Sequence, residues 1–297
     1  MTAPGTFLAR ERETYDIRNA RLAARFAPSA GGRILSLTHV EHGDILVPLR
    51  DTSFDPANWP KAGAFPLFPF HNRLRDAAFR LAGQQVRLRP NTANGKDVMH
   101  GPAHRRPWRL ALREADLLEM VLDYRSDEDW PFDFTARQRF ELKEDGLAIR
   151  LELTNTGRFD MPGGIGWHPY FMHSGEIRVR VTAARQWTPF GPAGLSASVA
   201  WNNAASCDPG PATGVTRHYS GWRTATAQVD DGIAISLSGD AALSHLAVLQ
   251  KTDYLCIEPA SHVAGALETL PNACAETGLR LLRPGERLSG TTLLRVN

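Results

Sequence analysis

The chain has 297 residues, of which 42% are hydrophobic, and carries 34 Lys plus Arg against 32 Asp plus Glu. Such a composition supports a full core and excludes a disordered chain. The near-balance of charge gives no reason to expect nucleic acid or an anionic membrane as partner. No unbroken apolar stretch reaches the length of a membrane helix, and Met1–Gly5 is not followed by the apolar run of a secretory leader. Cys207, Cys256 and Cys274 are three in number and far apart. They make neither a disulfide framework nor a zinc pattern, so reduced thiols in a cytoplasmic protein are expected. The length alone suggests about two domains, but nothing reads as a linker, and a single domain over residues 1–297 is expected.

Taken in order, Arg21–Ala27 alternates imperfectly, Gly31–Leu37 is a strand opened by a glycine pair, and Asp44–Leu49 reads as another strand. The Gly31-Gly32 pair lacks the Lys-Ser/Thr ending of a phosphate loop and is expected to make a tight turn. Ala64–Arg75 contains Pro66 and Pro69 spaced by apolar residues. That spacing forbids a helix and predicts an irregular, extended segment. It ends in His71-Asn72-Arg73, a polar cluster placed as loops place binding groups. Arg73 offers a planar fork of donors suited to vicinal hydroxyls or carboxylates. By residue type alone the cluster equally suits a solvated surface turn.

Ala78–Leu88 predicts a hairpin turning at Gly83. The polar stretch Asn91–Lys96 then delivers Val98-Met99-His100-Gly101-Pro102, where glycine permits close backbone approach by a ligand. No second histidine or carboxylate stands at helical ligand spacing from His100, which argues against a metal. The β signal is strongest in Trp108–Glu114, Leu117–Tyr124, Asp133–Leu142 and Gly146–Asn155. Strands of this length separated by turns predict an antiparallel sandwich or barrel. Ile177–Val181 is a further strand. Residues 188–223 are rich in Pro, Gly, Ala and Ser and read as a long excursion. Strands resume at Thr226–Val229, Ile233–Leu237, His245–Gln250, Leu279–Arg283 and Ser289–Val296.

Two stretches carry candidate chemistry. In Ile165–Phe171, His168 lies between aromatics and before Pro169, which holds it extended. Histidine exchanges protons near neutral pH, although a histidine buried in an aromatic core would show the same pattern. In Tyr254–Pro259, residues 254, 256 and 258 point to one face and 255 and 257 to the other. Leu255 and Ile257 are then expected in the core, with Glu258 opposite them as a candidate general base. The competing reading is an edge-strand glutamate in water.

Together these pieces resemble the aldose 1-epimerase, or galactose mutarotase-like, family. Phe68–Leu74 is similar to its Pro-aromatic-x-Asn-Arg segment, and the Phe79–Gly83 hairpin follows as it does there. Met99-His100-Gly101 is similar to its His-Gly element, Gly166–Phe171 to its second histidine motif, and Cys256–Pro259 to its late glutamate motif. Each motif is weak alone, but four in the same order over nearly the whole chain are specific.

The resemblance implies an all-β fold, an antiparallel β-supersandwich with a monosaccharide in a cleft. It implies ring opening and reclosure, which interconverts α and β anomers without a cofactor. Glu258 would take the anomeric hydroxyl proton and His168 would protonate the ring oxygen. His100 and Arg73 would bind sugar oxygens, with Asn72 shaping the loop or binding. No metal is implied, and the oligomeric state stays open. One departure stands out. Many relatives carry an Asp-His pair shortly before a late Gly-Trp, whereas this chain reads Thr216-Arg217-His218-Tyr219-Ser220-Gly221-Trp222. The usual hexose preference is therefore in doubt. Alternatives are a hexose-6-phosphate 1-epimerase, with Arg75 or Arg217 supplying charge, and a non-catalytic sugar-binding protein. A third is a metal-dependent hydrolase using His71, His100 and His168.

Overall fold

The computed structural model describes residues 12–55, 58–173, 177–187, 198–200, 214–230, 233–270 and 277–297. Among these the chain is built from antiparallel strands joined by turns and short 3-10 helices, with no α-helix. Among the described residues no helix is long and apolar enough to cross a membrane. The expected excursion at 188–223 falls mostly outside the described residues, as do Cys207 and Cys274.

Two large sheets carry the fold. The smaller has eight strands, in the order Arg109–Arg113, Leu117–Tyr124, Phe134–Lys143, Gly146–Asn155, Arg287–Val296, Ile233–Gly239, Thr224–Asp230 and Arg178–Thr182. Its sequence alternation becomes one buried and one wetter face. Phe134, Ala136, Gln138, Phe140 and Leu142 are buried while their neighbours in the strand are more open, as expected of an antiparallel sheet with one solvated side. The larger sheet has eleven strands among the described residues, and its middle runs Ala64–Leu67, Gly166–Pro169, Leu255–Ala260, His245–Gln250 and Arg217–Ser220. Apolar side chains from both sheets meet in one continuous core, with Trp167, Leu255 and Ile257 from the larger and Phe140, Ile149 and Leu294 from the smaller.

The three strands at the middle of the larger sheet are buried along their whole length. Their alternation separates two environments rather than core from water. Leu255 and Ile257 enter the main core, as their position in the sequence predicts. Phe65, Leu67, Tyr170 and Cys256 form a second apolar cluster on the opposite face. His168 and Glu258 fall on that opposite face by the same period-2 rule.

Two expectations are corrected. Ala64–Leu67 is a central strand and not an irregular segment, despite Pro66. Its ladder with Gly166–Pro169 is four pairs long, but on the other flank it pairs only through Ile34 and Ala64. The donor that Pro66 lacks is therefore not required there. Asp44–Leu49 is not a continuous strand. Only Gly43–Asp44 pairs regularly, after which Ile45 donates to Leu37 and Val47 to Tyr170. The segment changes partner within two residues, so no ladder builds. The Gly31-Gly32 pair does make a turn, with φ of 84° and 63°. A Cβ at Gly31 would lie 1.9 Å from the His104 carbonyl oxygen.

Candidate active site

The five residues singled out in the sequence, Asn72, Arg73, His100, His168 and Glu258, all line one cleft of about 610 Å³. Glu258 comes from the Leu255–Ala260 strand and His168 from the neighbouring Gly166–Pro169 strand, so hydrogen-bonded ladders fix their separation. His168 Nε2 lies 3.5 Å from Glu258 Oε1. The imidazole packs against Phe65, at a ring-centroid distance of 4.6 Å, and Tyr170, at 4.7 Å. The two rings are inclined to it by 28° and 26°, and these contacts restrict its rotation.

Burial dominates the electrostatics. Glu258 is 3% exposed, and loss of water raises its carboxyl to about 8, against the smaller opposing pull of the Lys61 ammonium. His168 is held well below its ordinary value, first by burial and then by the positive charges of Lys61 and Arg33. The charged form of each group is disfavoured for the same reason. His168 Nδ1 and Glu258 Oε2 are both buried with no hydrogen-bond partner.

His100 and Asn72 sit opposite each other in left-handed conformations, with φ of 60° and 63°. Such a conformation costs a non-glycine residue about 1 kcal/mol. Two reciprocal bonds hold the pair: His100 N–H donates to the Asn72 carbonyl at 3.0 Å, and Asn72 N–H donates to His100 Nδ1 at 2.9 Å. Because Nδ1 accepts, the neutral ring carries its proton on Nε2 and presents a donor. Burial holds this ring neutral too. Gly101 serves the protein and not a ligand, since a Cβ there would stand 2.1 Å from the Phe68 carbonyl oxygen.

Arg73 Nη1 donates to Asp97 Oδ2 at 2.6 Å. Asp97 is itself held by Asn94 and by the Asp76 N–H, and these bonds keep its carboxyl below the usual range. The guanidinium is thus oriented at the cleft rim rather than free.

Sequence reasoning missed Lys61, Trp59, Tyr254 and His218, which also line the cleft. Lys61 Nζ lies 4.7 Å from the Trp59 ring centroid and makes no ion pair with a described carboxylate. Trp59 and Lys61 lie in an irregular loop and carry no periodicity that could have marked them. His218 lies one residue beyond Arg217, on the strand that has no aspartate. Arg75 is engaged by Glu268, and neither Arg75 nor Arg217 is among the cleft residues. His71 lies apart from the cleft, its Nε2 donating to the His262 carbonyl at 2.7 Å. The three histidines of the hydrolase reading therefore do not converge.

The two-sheet antiparallel sandwich with its polar cleft is the fold of galactose mutarotase-like proteins. A galactose mutarotase-like protein from Clostridium acetobutylicum shares it with a TM-score of 0.83 at 20% identity, covering 97% of this chain and 96% of that one. A galactose 1-epimerase from Lactobacillus acidophilus shares it with a TM-score of 0.72 at 14% identity, covering 98% of each chain. At these identities the likeness shows the fold alone. The aldose 1-epimerase family model matches residues 13–295, and the chain belongs to that family. The uncharacterized Escherichia coli K12 protein YphB is 29% identical over 254 residues, 79% of this chain and 84% of YphB.

Proposed function

We propose that the protein is a cofactor-independent aldose 1-epimerase of the cytoplasm, acting on a free monosaccharide within a single domain. The observation that carries this reading is the buried Glu258–His168 pair, 3.5 Å apart at a cleft of about 610 Å³. Ring opening needs a base at the anomeric hydroxyl and an acid at the ring oxygen of the same molecule. Glu258 accepts the O1 proton while His168 donates one to the ring oxygen, and the bond from the ring oxygen to C1 breaks. The C1–C2 bond rotates, and attack by the hydroxyl on the other face of the aldehyde closes the second anomer. The two protons return by the reverse transfers.

The pair needs one proton between its two members before sugar arrives. In the empty cleft, burial favours neutral carboxyl and neutral imidazole, which hold that one proton on Glu258. A sugar that donates O1–H to the carboxylate and accepts from the imidazolium at its ring oxygen favours the charged arrangement of the same proton count. His100 donates from Nε2 to a further sugar oxygen, and Arg73 positions hydroxyls at the rim. Asn72 ties together the two segments that carry them.

Lys61 supports a second reading, an aldose 6-phosphate as substrate. It is a cation on the cleft wall without a described acidic partner, and an anionic sugar would supply one. Anomer exchange followed by polarimetry or exchange NMR across a panel of aldoses and aldose 6-phosphates tests both. Acceleration of at least one free aldose is expected. Acceleration of the phosphates alone would select the second reading, and acceleration of none would leave a sugar-binding protein.

A further inference from the structure

We propose that His168, Cys256 and Glu258 form a binding site for one thiophilic divalent cation, such as zinc or cadmium, which occupies the cleft floor and excludes the sugar. One ligand atom from each of the three side chains can be chosen so that all lie within 4.8 Å of one another. The three are 7%, 0% and 3% exposed. Cys256 and Glu258 are two apart on one strand and so share a face, and His168 reaches them from the adjacent strand.

The site has the marks of one built to hold something. Glu258 Oε2 is buried without a hydrogen-bond partner, a condition most buried polar groups avoid. Thiolate, imidazole and carboxylate are zinc's usual donors, and three protein ligands leave a fourth position open, while His168 and Glu258 also line the cleft. The 3.5 Å gap between His168 Nε2 and Glu258 Oε1 already suits adjacent ligands on a tetrahedral ion with bonds of about 2.0–2.3 Å. The Cys256 sulfur lies within 4.8 Å of a ligand atom of each. Lys61 opposes a dication here, but thiolate and carboxylate together bring two negative charges to the ion. Binding displaces the protons of the Cys256 thiol and of the Glu258 carboxyl, so it tightens as pH rises.

The cation site does not depend on the epimerase reading; only its effect on turnover does. The test titrates cadmium alone into the full-length protein, following the ultraviolet thiolate-to-cadmium absorption. Zinc affinity is measured in parallel by competition with a chromogenic chelator. One equivalent is expected, with the absorption lost in Cys256→Ser and in Cys256→Ala, and zinc affinity reduced on the order of 10- to 100-fold in Glu258→Gln. Zinc should abolish anomer exchange and a chelator should restore it. Absence of the absorption, or its persistence in both Cys256 variants, overturns the proposal, since the second result places the metal on Cys207 or Cys274. Metal binding in a protein that turns over no sugar sinks the epimerase reading and leaves the cation site standing.

Discussion

Glu258→Gln separates catalysis from stability in one variant. The amide preserves shape but cannot take a proton, so the anomer-exchange rate should fall on the order of 10²- to 10⁴-fold, with sugar binding largely kept. Stability should move the other way with pH. Burial raises the folded-state value of Glu258 from an ordinary 4.5 to about 8. A raised carboxyl contributes stability that is fully present below the unfolded value and is lost as pH rises through the folded value. Between pH 4.5 and 7 the span is 2.5 units, less about 0.3 because the unfolded carboxyl is half titrated at pH 4.5, and at about 1.4 kcal/mol per unit the parent loses about 3 kcal/mol that the glutamine variant keeps. The amide also buries an unpaired donor, which costs about 1–3 kcal/mol at every pH. The absolute order of the two proteins is therefore less informative than its change. Urea unfolding of both at pH 4.5 and pH 7 should show the difference move by about 3 kcal/mol in favour of glutamine. Near-parental turnover in the variant would remove Glu258 as the base. A stability difference that ignores pH would show that its carboxyl is not held protonated by burial.

His168→Asn should lower the rate to a similar extent, and the double variant with Glu258→Gln should be little worse than either, because groups acting in one step are far from additive; polarimetry on a freshly dissolved single anomer reads both. Arg73→Ala should mainly raise KM and leave kcat within a few-fold, since the Asp97-anchored guanidinium positions the sugar. The pH profile of the parent should decline above about 8, where the Glu258–His168 pair loses its one proton, and on the acid side should hold to below 6.5, because the second proton goes onto an imidazole that burial disfavours. Acid should also destabilise the fold through its buried histidines. His218 and His262 are lowered to about 4 by burial, so each contributes stability that is present above the unfolded value near 6.5 and lost as pH falls toward 4. That is about 3 kcal/mol apiece, and His262→Gln should flatten the fall measured by urea unfolding.

The parts of this molecule legible in its sequence are those written in a short period. Leu117–Tyr124, Phe134–Lys143 and Gly146–Asn155 alternate because one face is buried, and they pair as that alternation predicts. Glu258 could be placed opposite Leu255 and Ile257 from strand parity alone. Pro66 hid a central strand, because the sequence does not disclose that the ladder on its far side ends at Ala64. Lys61 and Trp59 were hidden for a different reason. They reach the cleft from an irregular loop, and only tertiary packing brings them there. The closeness of Cys256 to His168 is likewise a matter of strand order, 88 residues apart in the chain. Spacing rules for metal ligands are local, and they cannot see a site that a sheet assembles from neighbouring strands.

That assembly also explains why Lys61 bears on the reaction without touching a transferred proton. Its positive charge acts in the same direction on both members of the pair, favouring the carboxylate of Glu258 and disfavouring the imidazolium of His168. Burial acts oppositely on the two, raising one and lowering the other. In a cleft governed by burial alone, Glu258 would hold the pair's proton firmly and His168 would remain neutral. Lys61 weakens the hold of both on that proton. The carboxylate becomes available as a base nearer neutral pH, and the imidazolium, once formed, becomes the stronger acid toward a ring oxygen. Placing the ammonium over the Trp59 ring, 4.7 Å from its centroid, lets the protein keep this charge beside the pair without a carboxylate of its own, which would have cancelled the effect.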